Sequence, residues 1–412
     1  MKFIVSTLRK IKLWGIKGVV DAVRTRAESV RLRRYFNMTV KSYKGRQEPG
    51  FTVIANFSVK SSLCKTMRDL VIALHNAKIP YQTYNLGKDN ELSCDYELFT
   101  PRSKFAILRY THSIEMLHSV IPDSFPIQKN IICFWEFDSG LRESYPFMLE
   151  AKNIVAMSDF NYKYFQAELG GCCHVQKLLY PFRLHVESNE PAERTRSRYG
   201  FSADDFIVFY NVGIGSARKN PDGCIKAFAQ AFPKTPSAKL LMKITHAQTR
   251  PREFAELKAL ACSLGIANQV SMLTEYLSDE EIVNITNAVD VYFSPHRGEG
   301  FGLGMAEAMA LGKCVVATDW SASTEFVSTC HAMPIPYTLK PIEPSEFDKA
   351  VYVNVTRWAE PDLTAAANTL KRLFADRSLC RQVGERGSKF MHEYFSTKKF
   401  AESAKSILGE NL

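Results

Sequence analysis

Apolar strand-like runs alternate with segments of helical periodicity along most of the chain, and this alternation restricts the fold to the α/β class. In the first half, the run FTVIANF (51–57) precedes a helical pattern over 62–77, and NIICFWEF (130–137) follows further on. Strands that alternate with helices form βαβ units around a parallel sheet. The alternation stops in the polar stretch 184–200 and begins again at FIVFYNVG (206–213). We therefore predict two Rossmann-like domains joined by a linker.

The length of the chain supports this division. A chain of 412 residues is too long for one ordinary hydrophobic core, and two domains of roughly 150 to 200 residues each are the default. The tail beyond the second domain has a helical pattern. We predict an N-terminal arm at 1–46, a first Rossmann-like domain at 47–183, a second at 184–385 and a C-terminal helix at 386–412.

The N-terminal arm, residues 1–46, carries most of the positive charge. It holds 13 Lys or Arg residues and two acidic residues, Asp21 and Glu28, whereas the whole chain has a net charge of +10. Apolar residues such as Ile4 and Leu8 lie between the basic ones at roughly helical spacing. Such a helix is typical of a segment that lies on an anionic membrane surface, and the alternative is a helix packed on its own protein. Because no nucleic-acid-binding motif accompanies the charge, nucleic acid is not an expected partner.

Composition also limits location and chemistry. No run of 18 apolar residues is present, which argues against a transmembrane helix, and basic residues interrupt every N-terminal apolar run, which argues against a secretory signal. The ten cysteines show no CxxC or other paired spacing, so neither a zinc site nor a disulfide framework is predicted. We predict a cytoplasmic protein, peripherally attached to the inner face of the plasma membrane, with no metal and no cofactor.

The stretch 291–327 contains an apolar strand, a glycine-rich turn and a helix, and it spaces Glu299 and Glu307 eight positions apart. Free backbone N–H groups at a helix N-terminus favour anions. Gly298 and Gly300 would let a ligand approach the backbone closely. Both carboxylates can then face a ligand lodged at the helix N-terminus. The alternatives are an ordinary tight connection and a solvated helix face.

A second turn, which follows FIVFYNVG, places Arg218 and Lys219 side by side before Pro221, a favourable first helical residue. Two cations beside a strand-to-helix turn can neutralise a diphosphate at the carboxyl edge of the sheet, where open α/β folds bind ligands. The alternative is a pair of ordinary surface charges.

The two turns together resemble the donor site of family 4 retaining glycosyltransferases. The RKN sequence at 218–220 matches a family motif, and so does the E-x7-E segment with its neighbours at 294–312. The resemblance implies the GT-B fold, in which two Rossmann-like domains face each other across a cleft. It also implies that the last helix crosses back to pack on the first domain.

The resemblance implies a role for each matching residue. Glu299 would contact hydroxyls of the donor sugar and Glu307 the ribose, while the cations stabilise the leaving diphosphate without a metal. The residues with a catalytic role would be Glu299, Arg218, Lys219 and His112. The donor site as a whole would comprise Arg218, Lys219, Asn220, Glu299, Gly300, Phe301, Gly302, Leu303 and Glu307.

The first half resembles the family's acceptor domain more loosely. Trp135 and Glu136 match a WE pair, and His112 follows the strand-like run KFAILRY, where an acceptor-facing side chain is expected. The alternatives are a packed Trp beside a satisfied carboxylate and a structural His. The chain departs from the pattern at 60–62, where it has Lys-Ser-Ser in place of the glycines of many relatives.

The sequence thus predicts a glycosyltransferase. It would move a sugar from a nucleoside-diphosphate sugar to a glycan or lipid-linked acceptor with retention of configuration, in the biosynthesis of cell-surface polysaccharide. Two alternatives stay open: a catalytically inactive GT-B subunit that docks an assembly on the membrane, and a GT-B epimerase or phosphorylase. The intact cations and carboxylates favour the transferase over the inactive subunit.

Overall fold

The computed structural model describes residues 50–55, 57, 62–85, 105–109, 128–144, 148–149, 151–184, 188–342, 352 and 354–409. The basic arm at 1–46 and His112 lie outside the described residues. Within these ranges the chain forms two six-stranded sheets and one two-stranded sheet. Each six-stranded sheet is parallel and has helices beside it, so the predicted pair of Rossmann-like domains is confirmed.

The first domain begins with a short buried strand and the helix that follows it. Its strands are β1 (Phe51–Ala55), β2 (Tyr81–Asn85), β3 (Phe105–Arg109), β4 (Gln128–Cys133), β5 (Asn153–Ala156) and β6 (His174–Lys177), and its helices are α1 (Ser62–Asn76), α2 (Leu141–Ser144) and α3 (Asp159–Leu169). The strand order is β2-β1-β3-β4-β5-β6. The direction of winding reverses between β1 and β3, and ligands of such sheets bind beyond the carboxyl ends of the strands at this point.

The second domain repeats this plan. Its sheet contains β7 (Phe206–Gly213), β8 (Ala238–Thr245), β9 (Val270–Leu273), β10 (Val291–Ser294), β11 (Cys314–Thr318) and β12 (Met333–Ile335). The helices are α4 (Ala192–Arg198), α5 (Pro221–Ala231), α6 (Pro251–Ser263), α7 (Asp279–Ala288), α8 (Leu303–Ala310), α9 (Leu363–Ala375), α10 (Arg377–Tyr394) and α11 (Thr397–Leu408). The strand order β12-β11-β10-β7-β8-β9 places the reversal between β10 and β7. The crevice at this reversal is the expected ligand site.

Helix α4 occupies part of the polar stretch for which a linker was predicted. Thr195 is buried, and the Arg196 guanidinium donates 2.7 Å to the carbonyl of Ala288 and pairs with Asp290 at 3.0 Å. The charged Arg196 side chain therefore attaches α4 to the end of α7 and to the residues that follow it. Because the contacts are polar, hydrophobic periodicity gave no sign of the helix.

A hairpin that the sequence pattern did not predict links the two domains. Strands β13 (Tyr337–Pro341) and β14 (Arg357–Pro361) pair antiparallel. Trp358 of β14 is buried in a hydrophobic cluster that includes Trp135 and Phe137 of the first domain. On the other side, Arg357 pairs with Asp138 of the first domain at 2.7 Å, and the Tyr352 ring lies 5.2 Å from that of Phe137. The hairpin is thus an attachment between the domains.

The last helix provides a second attachment. Helix α11 lies against α1 and β6, where the Ser403 hydroxyl accepts a 2.8 Å hydrogen bond from the Leu179 N–H. Beside it, the rings of Tyr180 and Phe301 stack with centroids 3.6 Å apart and planes 6° apart. Hydrophobic side chains of both domains therefore share one core at this junction. Among the helices that the structure describes, none is long and apolar enough to cross a membrane.

Candidate functional site

The turn after β7 is shaped by local hydrogen bonds. A short 3-10 helix, Ala217–Lys219, is closed by the Lys219 N–H, which donates 3.0 Å to the carbonyl of Ser216. From the strand beneath, the Tyr210 hydroxyl donates to the carbonyl of Lys219 at 2.5 Å. The turn therefore holds its two cations at the carboxyl end of β7, beside the reversal of the sheet.

Asn220 ends this turn and begins α5. Its backbone is left-handed, with φ 52° and ψ 52°, and its side chain accepts a 3.1 Å hydrogen bond from the Gly223 N–H. The same amide donates 2.9 Å to the carbonyl of Pro295 in the neighbouring turn. The side chain is buried and its hydrogen bonds are to protein atoms. The Asn220 side chain thus links the two turns through these hydrogen bonds.

The glycine-rich turn after β10 approaches the first domain closely. A Cβ atom on Gly298 would lie 2.8 Å from the carbonyl oxygen of Glu136 and 3.1 Å from the Phe137 ring. Gly302 has φ +92°, a conformation that favours glycine, and it directly precedes α8. The Ser321 hydroxyl accepts a 2.8 Å hydrogen bond from the Glu299 N–H and so ties the glycine-rich turn to the segment after β11. The glycines therefore allow a close contact between the domains.

The two turns and the first domain meet in a cluster of four charges. Lys219 pairs with Glu299, and Arg218 pairs with Glu136 at 3.1 Å and with Glu299 at 3.5 Å. Arg218 also donates 2.8 Å to the carbonyl of Gly298. The four side chains are between 9% and 27% exposed, so the cluster is largely enclosed but keeps some contact with solvent. We call Arg218, Lys219, Glu299 and Glu136 the charge cluster.

Burial and pairing set the protonation states of the charge cluster. Burial raises the pKa of Glu299, but Lys219 and Arg218 outweigh burial and lower it to about 2. Burial also works against the charged form of Arg218, yet Glu136 and Glu299 hold its pKa above the usual value. The pKa of Lys219 is lowered because burial exceeds the attraction of Glu299. At neutral pH Glu299 is thus a carboxylate that a ligand must share with two cations.

Two buried residues of the glycine-rich segment support the turn. His296 is 0% exposed, and its ring lies 3.3 Å from the carbonyl of Trp320 and 3.1 Å from the Ser323 hydroxyl. Burial lowers the pKa of His296, which favours the neutral ring. Arg297 pairs with Glu360 at 2.7 Å, and its guanidinium also donates 2.9 Å to the carbonyl of Ala217. Both side chains therefore hold neighbouring loops in place.

The predicted acceptor residues have different surroundings. Glu136 lies in the charge cluster, whereas Trp135 is 1% exposed and its indole N–H donates 3.1 Å to the carbonyl of Ser139. The Trp135 ring also packs 5.6 Å from that of Tyr352. Trp135 is thus a packing residue under the hairpin.

The remaining predicted donor residues lie at the start of α8. Phe301 is buried against Tyr180, so its side chain belongs to the junction between the domains. Leu303 is the first residue of α8, whose first N–H groups have no partner within the helix. Gly300 lies beside Glu136, since a Cβ atom there would be 3.8 Å from a carboxylate oxygen of that residue. Glu307, further along α8, pairs with Lys65 of α1.

Lys65 is a site residue that the sequence analysis missed. It lies on the first helix of the other domain, and no motif connects it to Glu307, which is 242 positions away. The departure at 60–62 ends at Ser62, the first residue of α1, and was the one sign in the sequence that this segment differs from that of relatives. Among the residues that the structure describes, no group of three or more His, Cys, Asp or Glu side chains could hold a metal ion.

Comparison with known proteins shows which family these turns belong to. Residues 193–329, which include both turns, match the family model described as glycosyl transferases group 1. The chain carries a group 1 glycosyltransferase domain. This match confirms the resemblance to family 4 glycosyltransferases that the two motifs indicated.

Several curated glycosyltransferases align with this domain. The serotype-specific mannosyltransferase WbdA of Escherichia coli is 24% identical over 169 residues, which are 40% of this chain and 20% of WbdA. The lipopolysaccharide core biosynthesis mannosyltransferase LpsB of Rhizobium meliloti is 39% identical over 74 residues, which are 18% of this chain and 20% of LpsB. The aligned stretches thus span about a fifth of these relatives.

Solved structures extend the likeness to both domains. Sucrose-phosphate synthase from Thermosynechococcus elongatus superposes with a TM-score of 0.63 at 17% identity and covers 87% of this chain and 97% of its own. HepE of Anabaena, solved with UDP and glucose, gives a TM-score of 0.62 at 15% identity and covers 86% of this chain and 97% of its own. The chain therefore has the GT-B fold.

Proposed function

We propose that this glycosyltransferase transfers a sugar from a nucleoside-diphosphate sugar to a glycan or lipid-linked acceptor with retention of configuration. The observation that carries the proposal is the charge cluster. Arg218 and Lys219 follow β7, and Glu299 follows β10, so the three side chains meet at the carboxyl edge where the winding of the sheet reverses. Ligands of open α/β sheets bind at this edge.

The chemistry of the cluster fits departure of a nucleoside diphosphate. When the glycosyl–phosphate bond breaks, negative charge collects on the leaving phosphate while the sugar becomes oxocarbenium-like. Fixed cations aimed at that charge are the main electrostatic contribution that a protein can make. The backbone of Arg218 and Lys219 is held at the turn by hydrogen bonds, so only their side chains need to reorient. With two cations at the phosphates, we propose a reaction that does not need a metal ion.

The carboxylates complete the proposed donor site. A bound donor would turn Arg218 and Lys219 towards its phosphates, and sugar hydroxyls would take their place as hydrogen-bond donors to Glu299. Glu307 would accept hydrogen bonds from the ribose. The names of WbdA and LpsB, a serotype-specific and a lipopolysaccharide core mannosyltransferase, support a place in surface-polysaccharide biosynthesis for this chain too.

Donor binding is tested by thermal shift with UDP, GDP and ADP, each beside its monophosphate. A ligand that binds only the folded state raises stability by RT ln(1 + [L]/Kd). We expect one diphosphate to raise Tm clearly above its monophosphate, and its sugar derivatives to be turned over with EDTA present. No response to any diphosphate would refute the proposal. Binding without turnover of any sugar would favour the inactive subunit, and a strict need for a divalent ion would contradict the metal-independent reaction.

We propose that the basic arm attaches the enzyme to the inner face of the plasma membrane. Each basic residue near an anionic surface contributes about 1 kcal/mol, so three Arg→Gln changes should weaken vesicle binding by about a hundredfold. Sedimentation with phosphatidylserine vesicles measures this. The arm variant changes Arg31, Arg33 and Arg34, and the matched control changes the exposed Lys371, Lys389 and Lys398, which lowers the net charge equally. Equal loss in both variants would contradict attachment through the arm.

A further inference from the structure

Helix α1 of the first domain faces α8 of the second, and one ion pair joins them. The Lys65 ammonium pairs with the Glu307 carboxylate. The Lys65 side chain is 22% exposed and that of Glu307 13% exposed, so both remain accessible. The carboxylate that the proposed function assigns to the ribose is therefore shared with a cation from the other domain.

The position of Lys65 relative to α8 is fixed by its neighbour in sequence. The hydroxyls of Thr66 and Tyr180 lie 2.7 Å apart and are buried. The Tyr180 ring in turn stacks on Phe301, which is two residues before α8. A continuous set of packed contacts thus connects the two helices, and the Lys65 ammonium is held against Glu307.

The surroundings of Glu307 make this cation important. Burial raises the pKa of Glu307, the Lys65 ammonium opposes this rise without cancelling it, and Asp279 adds to it. One helical turn along α1, Asp69 is 4% exposed, and burial raises its pKa to about 6, with Glu307 adding to the rise. The phenol of Tyr292, on β10, also faces Glu307. Two acids and a phenol therefore interact with this carboxyl, and Lys65 is the cation that favours its ionised form.

We propose that Lys65 is a positioning residue for the nucleotide donor: it holds Glu307 as a carboxylate oriented to accept hydrogen bonds from the ribose hydroxyls. The inference rests on the proposed function. An ionised carboxylate offers acceptor sites only, whereas a protonated one loses acceptor capacity. A ribose with both hydroxyls can use two of those sites, and a 2′-deoxyribose only one. The first domain, through Lys65, thereby helps to select ribonucleotides over deoxyribonucleotides.

The test measures dissociation constants of the full chain for UDP, GDP or ADP, whichever binds, and for its 2′-deoxy counterpart. We expect Lys65→Met to weaken ribonucleotide binding about tenfold more than deoxyribonucleotide binding, because the ribonucleotide loses one more hydrogen bond to a charged group. The loss should be larger near pH 6 than near pH 8, because the pKa of Glu307 rises further without the cation. Lys65→Arg should restore most of the preference.

A second background separates positioning from folding. In Glu307→Gln, which has already lost the carboxylate, adding Lys65→Met should not change the ribose preference, since the two residues act as one unit. Equal weakening of ribo- and deoxyribonucleotide binding by Lys65→Met would show that Lys65 only supports the contact between the domains, and it would overturn the inference. So would unchanged binding of both. If the unmodified chain binds no nucleoside diphosphate, the proposed function itself fails, and that result is seen before any variant is made.

Discussion

Lys219→Ala is expected to slow sugar transfer by about two orders of magnitude or more, because removing one preformed charge-stabilising group from an active site typically costs that much. In the structure Lys219 lies at the carboxyl end of β7 and pairs with Glu299. The variant leaves Arg218 as the remaining cation at the leaving phosphate. The measurement is kcat for donor turnover at saturating acceptor, with the donor identified by thermal shift.

Lys226→Ala is the matched control for this prediction. Lys226 lies on α5, seven residues after Lys219, and its exposed side chain pairs with Asp222 at 2.9 Å. An exposed pair of this kind contributes little, so the control should keep nearly normal turnover. If Lys219→Ala turned over donor within a few-fold of the control, Lys219 could not be the group that stabilises the leaving phosphate.

Arg218→Met is expected to destabilise the folded protein as well as to inactivate it. The Arg218 guanidinium lies between Glu136 of the first domain and Glu299 of the second. Removing one partner of a largely buried ion pair leaves an uncompensated charge, which costs about 3 kcal/mol or more. We therefore expect a clear fall in the free energy of unfolding measured by urea denaturation.

A second substitution tests the cause of that fall. Glu299 still pairs with Lys219 in Arg218→Met, so Glu136 is the carboxylate that loses its cation. Adding Glu136→Gln removes that carboxylate, so part of the lost stability should return while turnover stays low. The single change Glu136→Gln serves as the control, and it should cost less than Arg218→Met. An unfolding free energy of Arg218→Met equal to that of the unmodified protein would show that the cluster's carboxylates do not depend on this cation.

Much of the fold could be predicted because each strand or helix has a recognisable pattern in its own stretch of sequence. The run FIVFYNVG is buried on both faces of its sheet, as a continuous apolar strand should be, and it forms β7. The alternation of such runs with helical periods predicted both parallel sheets. Arg218, Lys219 and Glu299 were assigned to one site because their turns resemble the donor-site motifs of family 4 glycosyltransferases. The structure brings their side chains into contact, since the turns follow neighbouring parallel strands.

The contacts between domains could not be predicted in this way. The pairs Arg218–Glu136 and Lys65–Glu307 depend on how two separate sheets dock, and neither strand nor helix periodicity carries that information. Trp135 had a motif match, yet its burial under the hairpin is set by a segment more than two hundred positions away. Asn220 likewise matched a motif, but its left-handed backbone and its bond to Pro295 became visible only in three dimensions.

The charge cluster also affects which anions can bind in the crevice. Its two cations are already matched by two carboxylates, so the cluster has no surplus positive charge with which to attract free phosphate. An incoming phosphate group must displace those carboxylates and leave them without hydrogen-bond donors, which is unfavourable in an enclosed site. Only a ligand that brings hydroxyl groups along with its phosphates can satisfy both sets of charges at once. Discrimination against the abundant bare anions of a cell thus follows from the same four side chains that are proposed to perform the reaction.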